Sequence, residues 1–364
     1  MLLETPDQKL ASLQILRGIA ALAVVLAHIW PMMAAYGQQD LFPKFIIGAA
    51  GVDLFFVISG FVIVYASERL FGRISAVLTF LWHRIIRIVP IYWLMTIITL
   101  LYVVSFIGEM TRPDLTWSVI LGSFFFVPVA RPSGATFPVL GVGWTLNYEM
   151  FFYLIFSISV FMSRRMAVIS STALLLALLQ FSSTLEPLFP VPHWVLVNTF
   201  LYEFIFGMWI AIAYREGIRL PAVLSCAMIP IGLATMIYAD GEANFPNLSR
   251  HWGWGGGVAL IVAGCVLANV RSLPERIFWR VGIKLGDASY ALYLVHAVIP
   301  MYFAQFLAPY LNPVNHPYLY ISLYVASAIS AALLLHHGFE WPVARFLRTI
   351  TFGRSGRKVL PAAD

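Results

Sequence analysis

Long apolar runs, separated by short polar segments, dominate the chain. A transmembrane helix needs about 17–25 mostly apolar residues, because each residue adds about 1.5 Å of rise. Ten runs fit this length, at about residues 12–33, 46–66, 84–107, 143–162, 166–182, 196–214, 221–239, 253–269, 288–308 and 318–338. The pattern predicts an all-α integral membrane protein, a bundle of about ten transmembrane helices.

A further apolar run, residues 117–129, is short and is followed by Pro132. Positive charge decides whether it crosses. With ten crossings and a cytoplasmic N-terminus, 19 of the 23 Lys and Arg residues face the cytoplasm. An eleventh crossing would leave 8 inside and 15 outside. The positive-inside rule therefore favours a re-entrant or interfacial 117–129 segment and two cytoplasmic termini.

The same reasoning divides the chain into three parts. It predicts a cytoplasmic N-terminus over residues 1–11, a single transmembrane domain over 12–345, and a basic cytoplasmic tail over 346–364.

Composition supports the membrane class and excludes others. Hydrophobic residues make up 60% of the chain, charged residues 11%, and the mean hydropathy is +0.84. A soluble domain carries about 25% charged residues. Cys226 and Cys265 lie in apolar spans, which indicates neither a disulfide framework nor a metal site. The pI of about 9.3 requires no nucleic-acid partner, because the basic residues act as topology signals.

Arg17 and His28 lie on the first apolar run, with ten residues between them. Eleven helical steps of about 100° return to within about 20° of the start, so both side chains share one face, with a rise of about 16 Å. Ionisable residues inside a membrane are costly and usually mark a functional path. An arginine that holds one end of a long ligand could place the other end at the histidine.

Three ionisable residues on different spans are predicted to lie at one level in the outer half of the membrane: His28, Asp53 and Glu149. A histidine near carboxylates is a common constellation for general base catalysis. Asp53 and Glu149 could instead form a structural ion-pair or hydrogen-bond set. His296, on the ninth span, is interpreted as structural.

Arg84 and Arg87 are three residues apart, so they share a helix face at the cytoplasmic end of the third span. With Arg17 they could form a guanidinium cluster suited to phosphate or pyrophosphate groups. The alternative is that they anchor the helix to lipid phosphates.

Five segments of this chain, in this order, resemble the membrane acyltransferase-3 family over about residues 10 to 345. They read LQILRGIAALAVVLAHIW, GAAGVDLFFVISGFVI, HRIIRIVPIYW, GVGWTLNYEMFFYLIF and LGDASYALYLVH. The resemblance assigns the family's Arg and His of the first span to Arg17 and His28, and its Arg-x-x-Arg motif to Arg84 and Arg87. It also matches the family's acidic position in the second span with Asp53.

The family's Trp-(Ser/Thr)-Leu-x-x-Glu segment corresponds to Trp144, Thr145, Leu146 and Glu149. Two departures matter. Many relatives carry a C-terminal SGNH-type domain, for which this sequence has no counterpart, and the segment around Glu149 lacks the Ser-x-Glu-Glu of those relatives. Both features resemble the stand-alone, exopolysaccharide-type acetyltransferases.

The resemblance implies an O-acyltransferase of a bacterial inner membrane. Acetyl-CoA would bind from the cytoplasm, with its phosphates held by Arg17, Arg84 and Arg87. A glycan or lipid-linked saccharide would approach His28 from the outer side, near Asp53 and Glu149. His28 could act as a general base or carry the acyl group itself. No metal or nucleic acid is expected.

Two other classes remain open. A transporter or flippase for a lipid-linked saccharide would also use many spans and a polar interior, but the chain shows no matching halves of the kind common in transporters. A signalling or scaffold protein would need neither Arg17 nor His28.

Overall fold

A computed structural model describes residues 7–41, 45–106, 114–185, 199–241, 250–269 and 277–353. These residues are largely helical and form no β-strand. The α-helices are α1 (Asp7–Ala27), α2 (Ile29–Ala34), α3 (Gly51–Ala66), α4 (Ala76–Phe106), α5 (Trp117–Phe124), α6 (Trp144–Ser157), α7 (Arg164–Leu185), α8 (Phe200–Arg215), α9 (Ala222–Gly241), α10 (Gly256–Leu267), α11 (Ile277–Asp287), α12 (Ser289–Val295), α13 (Ile299–Tyr302), α14 (Pro317–Leu335) and α15 (Trp341–Phe352). Segments of π-helix span His251–Gly255, Phe303–Leu307 and His336–Glu340, and 3-10 turns span Gln39–Leu41, Ile46–Ala50 and Gly141–Gly143.

Parts of the sequence-based predictions lie outside the described residues. They are residues 1–6 of the N-terminus, 354–364 of the tail, 107 of the third span, 196–198 of the sixth span, and the topology residues Lys44, Arg112, Arg271, Arg276, Arg354, Arg357 and Lys358.

Each of the ten predicted spans coincides with a helix, but the helices differ in length. Seven helical stretches of the described residues are long and apolar enough to cross a membrane. They are Ala11–Ala34, Ile46–Ala66, Ala76–Phe106, Arg164–Phe181, Ala222–Ala239, Ser289–Leu307 and Pro317–Phe352. The other three helices are shorter. Helix α6 has 14 residues, α8 has 16, and the third is the apolar helix His251–Leu267. The chain is thus a multi-pass membrane protein, and ten crossings remain a prediction.

The first span contains a break at His28. Helix α1 ends at Ala27 and α2 begins at Ile29, so His28 lies at the junction. Pro31 accounts for the break, because it has no N–H to donate to the Ala27 carbonyl one turn earlier. His28 therefore sits at a bend rather than within a regular helix.

Helix α4 begins earlier than predicted. Its 31 residues start at Ala76, eight residues before the predicted start of the third span, and extend about 46 Å. Arg84 and Arg87 consequently lie in the third and fourth turns of the helix, not at its start. Length exceeding the bilayer lets the first turns of α4 project beyond the hydrocarbon layer.

The short helix α5 reaches the middle of α4. The Trp93 indole Nε1 donates a hydrogen bond of 2.9 Å to the Phe124 carbonyl, and the ring of Phe126 lies 4.8 Å from that of Tyr92. Tyr92 is next to the midpoint of α4. Gly143, just before α6, also packs against Tyr92, since a Cβ there would lie 2.7 Å from the Tyr92 ring. The end of α5 and the start of α6 therefore both lie beside the middle of α4, and the re-entrant or interfacial course of residues 117–129 stays a prediction.

Helices α3 and α8 pack with their backbones in close contact. At Gly207 an added Cβ would lie 2.0 Å from the Val57 carbonyl oxygen, and at Gly60 it would lie 2.2 Å from the Phe204 carbonyl oxygen. Only glycine permits such backbone approach, which is how small residues drive helix packing in membranes. The pair fixes one face of α3, and leaves the opposite face for α1, α4 and α6.

Arginine and glutamate side chains join several helices at one end of the bundle. Arg164 at the start of α7 bonds Glu68 at 2.8 Å, and Arg215 at the end of α8 donates to the Tyr65 carbonyl at 2.7 Å. Glu216 accepts from Arg165 as well. We call this the basic end. Helix α15 lies at the same end, and it runs through residue 345, so the predicted tail boundary falls inside a helix.

Candidate active site

A cavity with about 730 Å³ of empty space, counting its opening, lies among five helices. We call it the arginine cavity. It is lined by Arg17, Val52, Phe55, Phe56, Ile58, Ser59, Val62, Arg84, Arg87, Ile88, Thr145, Leu146, Glu149, Tyr153, Tyr290 and Tyr293. Helices α1, α3, α4, α6 and α12 supply these side chains.

The three arginines predicted to form a cluster do line this one cavity. The Arg17 guanidinium is 9% exposed and donates to Gln14 Oε1 at 3.0 Å. The guanidinium carbon of Arg84 lies 5.5 Å from the Tyr153 ring centroid. Arg87 makes no hydrogen bond or ion pair within the described part of the chain. Three cations around one space repel one another, so a polyanion in the cavity would be strongly favoured.

Glu149 is the acidic side chain among the lining residues. Its Oε1 accepts hydrogen bonds from the Ser59 hydroxyl, at 3.0 Å, and from the Tyr153 hydroxyl. Ser59 is six residues beyond Asp53 on α3, which places Glu149 about 9 Å deeper than Asp53. The prediction that Glu149 shares a level with Asp53 and His28 is therefore wrong. The error arises because the start of α6 packs against Tyr92 in the middle of α4, so counting six residues from that start does not bring Glu149 level with Asp53.

Asp53 lies outside the arginine cavity. It is fully buried, and its Oδ2 accepts from Arg250 Nη2 at 2.9 Å. Glu203 on α8 is also fully buried and near enough to Asp53 for the two carboxyl groups to interact. The ion pair matches the structural alternative left open by the sequence, and the catalytic role of Asp53 remains a prediction.

His28 lies next to His296, which follows α12. The two ring centroids are 4.8 Å apart in an edge-to-face arrangement. Each Nδ1 bonds the carbonyl four residues earlier, Val24 at 2.8 Å for His28 and Leu292 at 3.2 Å for His296. A carbonyl only accepts, so in both rings Nδ1 carries the proton and Nε2 is the basic nitrogen.

Sequence reasoning did not find His296 as a partner of His28. Its Nε2 is buried and has no hydrogen-bond partner among the described residues. A buried polar atom of this kind needs an explanation, and one explanation is a ligand. The signal existed: α12 and α1 are both predicted to run outward, and His296 stands nine residues after Asp287, much as His28 follows Arg17.

Tyr293 links the arginine cavity to the histidine pair. Its ring lines the cavity and lies 5.7 Å from the His296 ring. Its hydroxyl donates to the Val142 carbonyl at 3.1 Å and lies 2.9 Å from the Thr145 hydroxyl. Tyr293 therefore lies between the cavity and the ring of His296.

No group of three His, Cys, Asp or Glu residues in the described part of the chain is arranged to hold a metal ion.

A cationic cavity with a histidine pair beyond its Tyr293 wall, all within a membrane helix bundle, suits transfer of a group from an anionic donor. Comparison with known proteins gives the class. A family model described as an acyltransferase domain matches residues 10–337. The chain therefore belongs to the acyltransferase-3 family and is an acyltransferase.

Two characterised proteins are similar to this chain. One, named exopolysaccharide production protein ExoZ, from Rhizobium meliloti (strain 1021), is 36% identical over 257 residues, 69% of this chain and 76% of that protein. The other, named acyltransferase MdmB, from Streptomyces mycarofaciens, is 26% identical over 321 residues, 81% of this chain and 80% of that protein. No solved structure matches the chain significantly.

Proposed function

We propose that this protein moves an acetyl or other short acyl group from acyl-CoA to a sugar hydroxyl of an extracellular polysaccharide or lipid-linked glycan. The observation that carries the proposal is the meeting of Arg17, Arg84 and Arg87 around one cavity. Guanidinium groups bind phosphate oxygens with paired hydrogen bonds, and acyl-CoA is a phosphorylated thioester. Similarity to an exopolysaccharide production protein supports a glycan acceptor.

The donor would approach from the basic end, which the positive-inside rule assigns to the cytoplasm. Its pyrophosphate would bind the arginines, and its pantetheine arm would extend past Tyr293. Arg17 and His28 are separated by about 16 Å of helical rise, a span that a flexible arm can bridge. The thioester would then lie at the histidine pair.

His28 would act as the general base. Its Nε2 takes the proton from the acceptor hydroxyl while the hydroxyl oxygen bonds to the thioester carbonyl carbon. The carbon–sulfur bond breaks, and the CoA thiolate takes the proton from the imidazolium. In a second route His28 Nε2 itself receives the acyl group and passes it to the acceptor. Ping-pong kinetics would identify the second route, and ternary-complex kinetics the first.

In this scheme Glu149 belongs to the donor site, whereas the sequence predicted it beside His28 and the acceptor. Because it bonds Ser59 and Tyr153 inside the arginine cavity, it would order the polar wall of the donor site and offset part of the guanidinium charge. The acceptor side is left to the histidines and the region around Asp53.

The test measures O-acyl groups on the extracellular polysaccharide of the host by NMR. A strain lacking the protein is complemented with the wild type or with His28→Ala, at matched membrane levels. Acyl signals restored by the wild type alone would support the proposal. Equal restoration by both would refute the role of His28. Acyl groups unaffected by the deletion would refute the glycan acceptor. Release of CoA thiol by the purified protein separates a transferase from a transporter.

A further inference from the structure

A second cavity adjoins the arginine cavity at the basic end. It has about 340 Å³ of empty space, counting its opening, and Arg84 and Arg87 line both cavities. Its remaining wall includes Ser67, Phe80, His83 and Arg348. None of the described residues that line it is acidic. The two cavities are therefore neighbours, both lined by cationic side chains, with Arg84 and Arg87 at their common border.

Helix α15 builds the outer wall of this second cavity. The Trp82 indole Nε1 donates to the Thr351 hydroxyl at 2.7 Å, and the His83 ring lies 4.6 Å from the Phe352 ring. These two contacts fasten the end of α15 to the first turns of α4. Arg348 stands one turn before them, so its side chain reaches the cavity.

Arg345 is a useful contrast on the same helix. Its guanidinium carbon lies 5.1 Å from the Trp341 ring centroid, and it is not among the lining residues of either cavity. The helix thus directs one arginine into the cavity and another onto its own surface.

Acyl-CoA carries two separate anionic groups, a pyrophosphate and a phosphomonoester on the 3′-hydroxyl of the ribose. We propose that the second cavity binds the 3′-phosphate end of the donor through Arg348 and His83, while the arginine cavity takes the pyrophosphate. This inference rests on the proposed function. In acyl-CoA a ribose separates the pyrophosphate from the 3′-phosphate, so the shared Arg84 and Arg87 would lie between these two anionic groups. A donor with a single phosphate would use one cavity only.

The experiment measures binding of coenzyme A and of 3′-dephospho-coenzyme A, because neither needs the acceptor sugar. Calorimetry on the purified full-length protein in nanodiscs gives Kd for the wild type, Arg348→Gln and Arg345→Gln. Charge-assisted hydrogen bonds to one phosphate correspond to about a 10- to 100-fold difference in Kd. The wild type and Arg345→Gln should prefer coenzyme A by this factor. Arg348→Gln should bind both ligands as weakly as the wild type binds the dephospho form.

Other outcomes overturn the inference in distinguishable ways. Equal affinity of the wild type for both ligands would show that no site recognises the 3′-phosphate. A uniform loss in Arg348→Gln would show that the residue supports the fold instead. Arg348→Lys, which keeps the charge, should retain part of the preference and covers the case in which the glutamine variant fails to fold. Binding of neither ligand by the wild type would refute the CoA donor itself, and with it the proposed function.

Discussion

At the scale of single residues, the basic nitrogen at the centre of the bundle is defined by helical carbonyls. Most catalytic histidines are oriented by a carboxylate, whereas His28 and His296 each donate Nδ1–H to their own helix. Such a hydrogen bond fixes the tautomer without placing a negative charge beside the ring. Both Nε2 atoms are therefore bases whose partners must come from each other or from substrates.

Replacing His28 by alanine should reduce acyl transfer by about 10²- to 10⁴-fold, because the proton of the acceptor hydroxyl then lacks a positioned base. The measurement is the rate of acyl incorporation at matched membrane levels. Arg345→Gln, outside both cavities, is the control and should transfer at the wild-type rate. A rate near that of wild type in His28→Ala would contradict the assignment.

Two variants of His296 distinguish the role of its Nδ1 from that of its Nε2. Asparagine can keep the bond to the Leu292 carbonyl but has nothing at the Nε2 position, whereas the longer glutamine can place an amide near it. If His296 Nε2 takes part in the reaction by bonding His28 or a substrate, acyl transfer by His296→Asn should be slower than transfer by His296→Gln. The expected difference in rate is about 10-fold or more, because that corresponds to the loss of one hydrogen bond to a charged group. Rate profiles against pH are the readout, and equal loss in both variants would indicate a role in packing alone.

At the scale of helices, the site depends on helices that are bent or short rather than on regular membrane-spanning helices. The bend at His28, the contact of α5 with α4 and the start of α6 beside the middle of α4 depend on Pro31, Trp93 and Tyr92 respectively. Helices α3 and α8 hold each other in place, because glycines let their backbones come into contact.

Gly207→Ala should destabilise the protein by about 1–3 kcal/mol or more, since the new Cβ would lie 2.0 Å from the Val57 carbonyl oxygen and the backbones would have to separate. Gly338→Ala is the matched control, because a Cβ there meets nothing within 4 Å. Thermal unfolding in detergent, followed by tryptophan fluorescence, should show a lower Tm for the first variant only. Equal Tm values would mean that the helices can shift freely.

At the scale of the whole molecule, the basic end holds the loops together by charge. Arg164 and Arg165 both pair with Glu216, and these hydrogen bonds, that of Arg165 first, lower the pKa of Glu216 below its ordinary 4.5. A carboxyl with a depressed pKa adds stability above its ordinary pKa, and this contribution disappears as the pH falls through the lowered pKa. The group is exposed, so the effect is small and screened by salt.

Acidification below about pH 4.5 should therefore lower the Tm of the wild type more than that of Glu216→Gln, which has no carboxylate to protonate. The two proteins are compared at low and high salt over pH 3 to 7 on the scale of ordinary carboxyl titration. A Tm difference that is independent of pH would show that Glu216 acts by its shape and not by its charge.

The number of crossings can be decided by parity. Seven spans would put the two termini on opposite sides of the membrane, and ten would put them on the same side. Glu340, just before α15, lies near enough to Arg17 for their charges to interact, which places both ends of the domain together. We expect fluorescent-protein and alkaline-phosphatase fusions to report a cytoplasmic location for each terminus. Opposite locations would refute the predicted topology.

The sequence alone determined the properties that depend on position along a helix. Apolar runs identify helices, charge bias orients them, and residue count then sets depth, which is why Arg17, Arg84 and Arg87 could be expected at one level. The same logic failed for Glu149, because residue count gives depth only when the position of the helix start is known, and α6 starts beside the middle of α4.

Only the tertiary structure decided which helices are neighbours. His296 beside His28, Arg250 on Asp53, and α15 against α4 all depend on lateral packing. Periodicity along one helix is the same for many arrangements of a bundle, so it carries no information on these partners. Close glycine contacts and paired polar groups select one arrangement, and they do so between residues hundreds of positions apart.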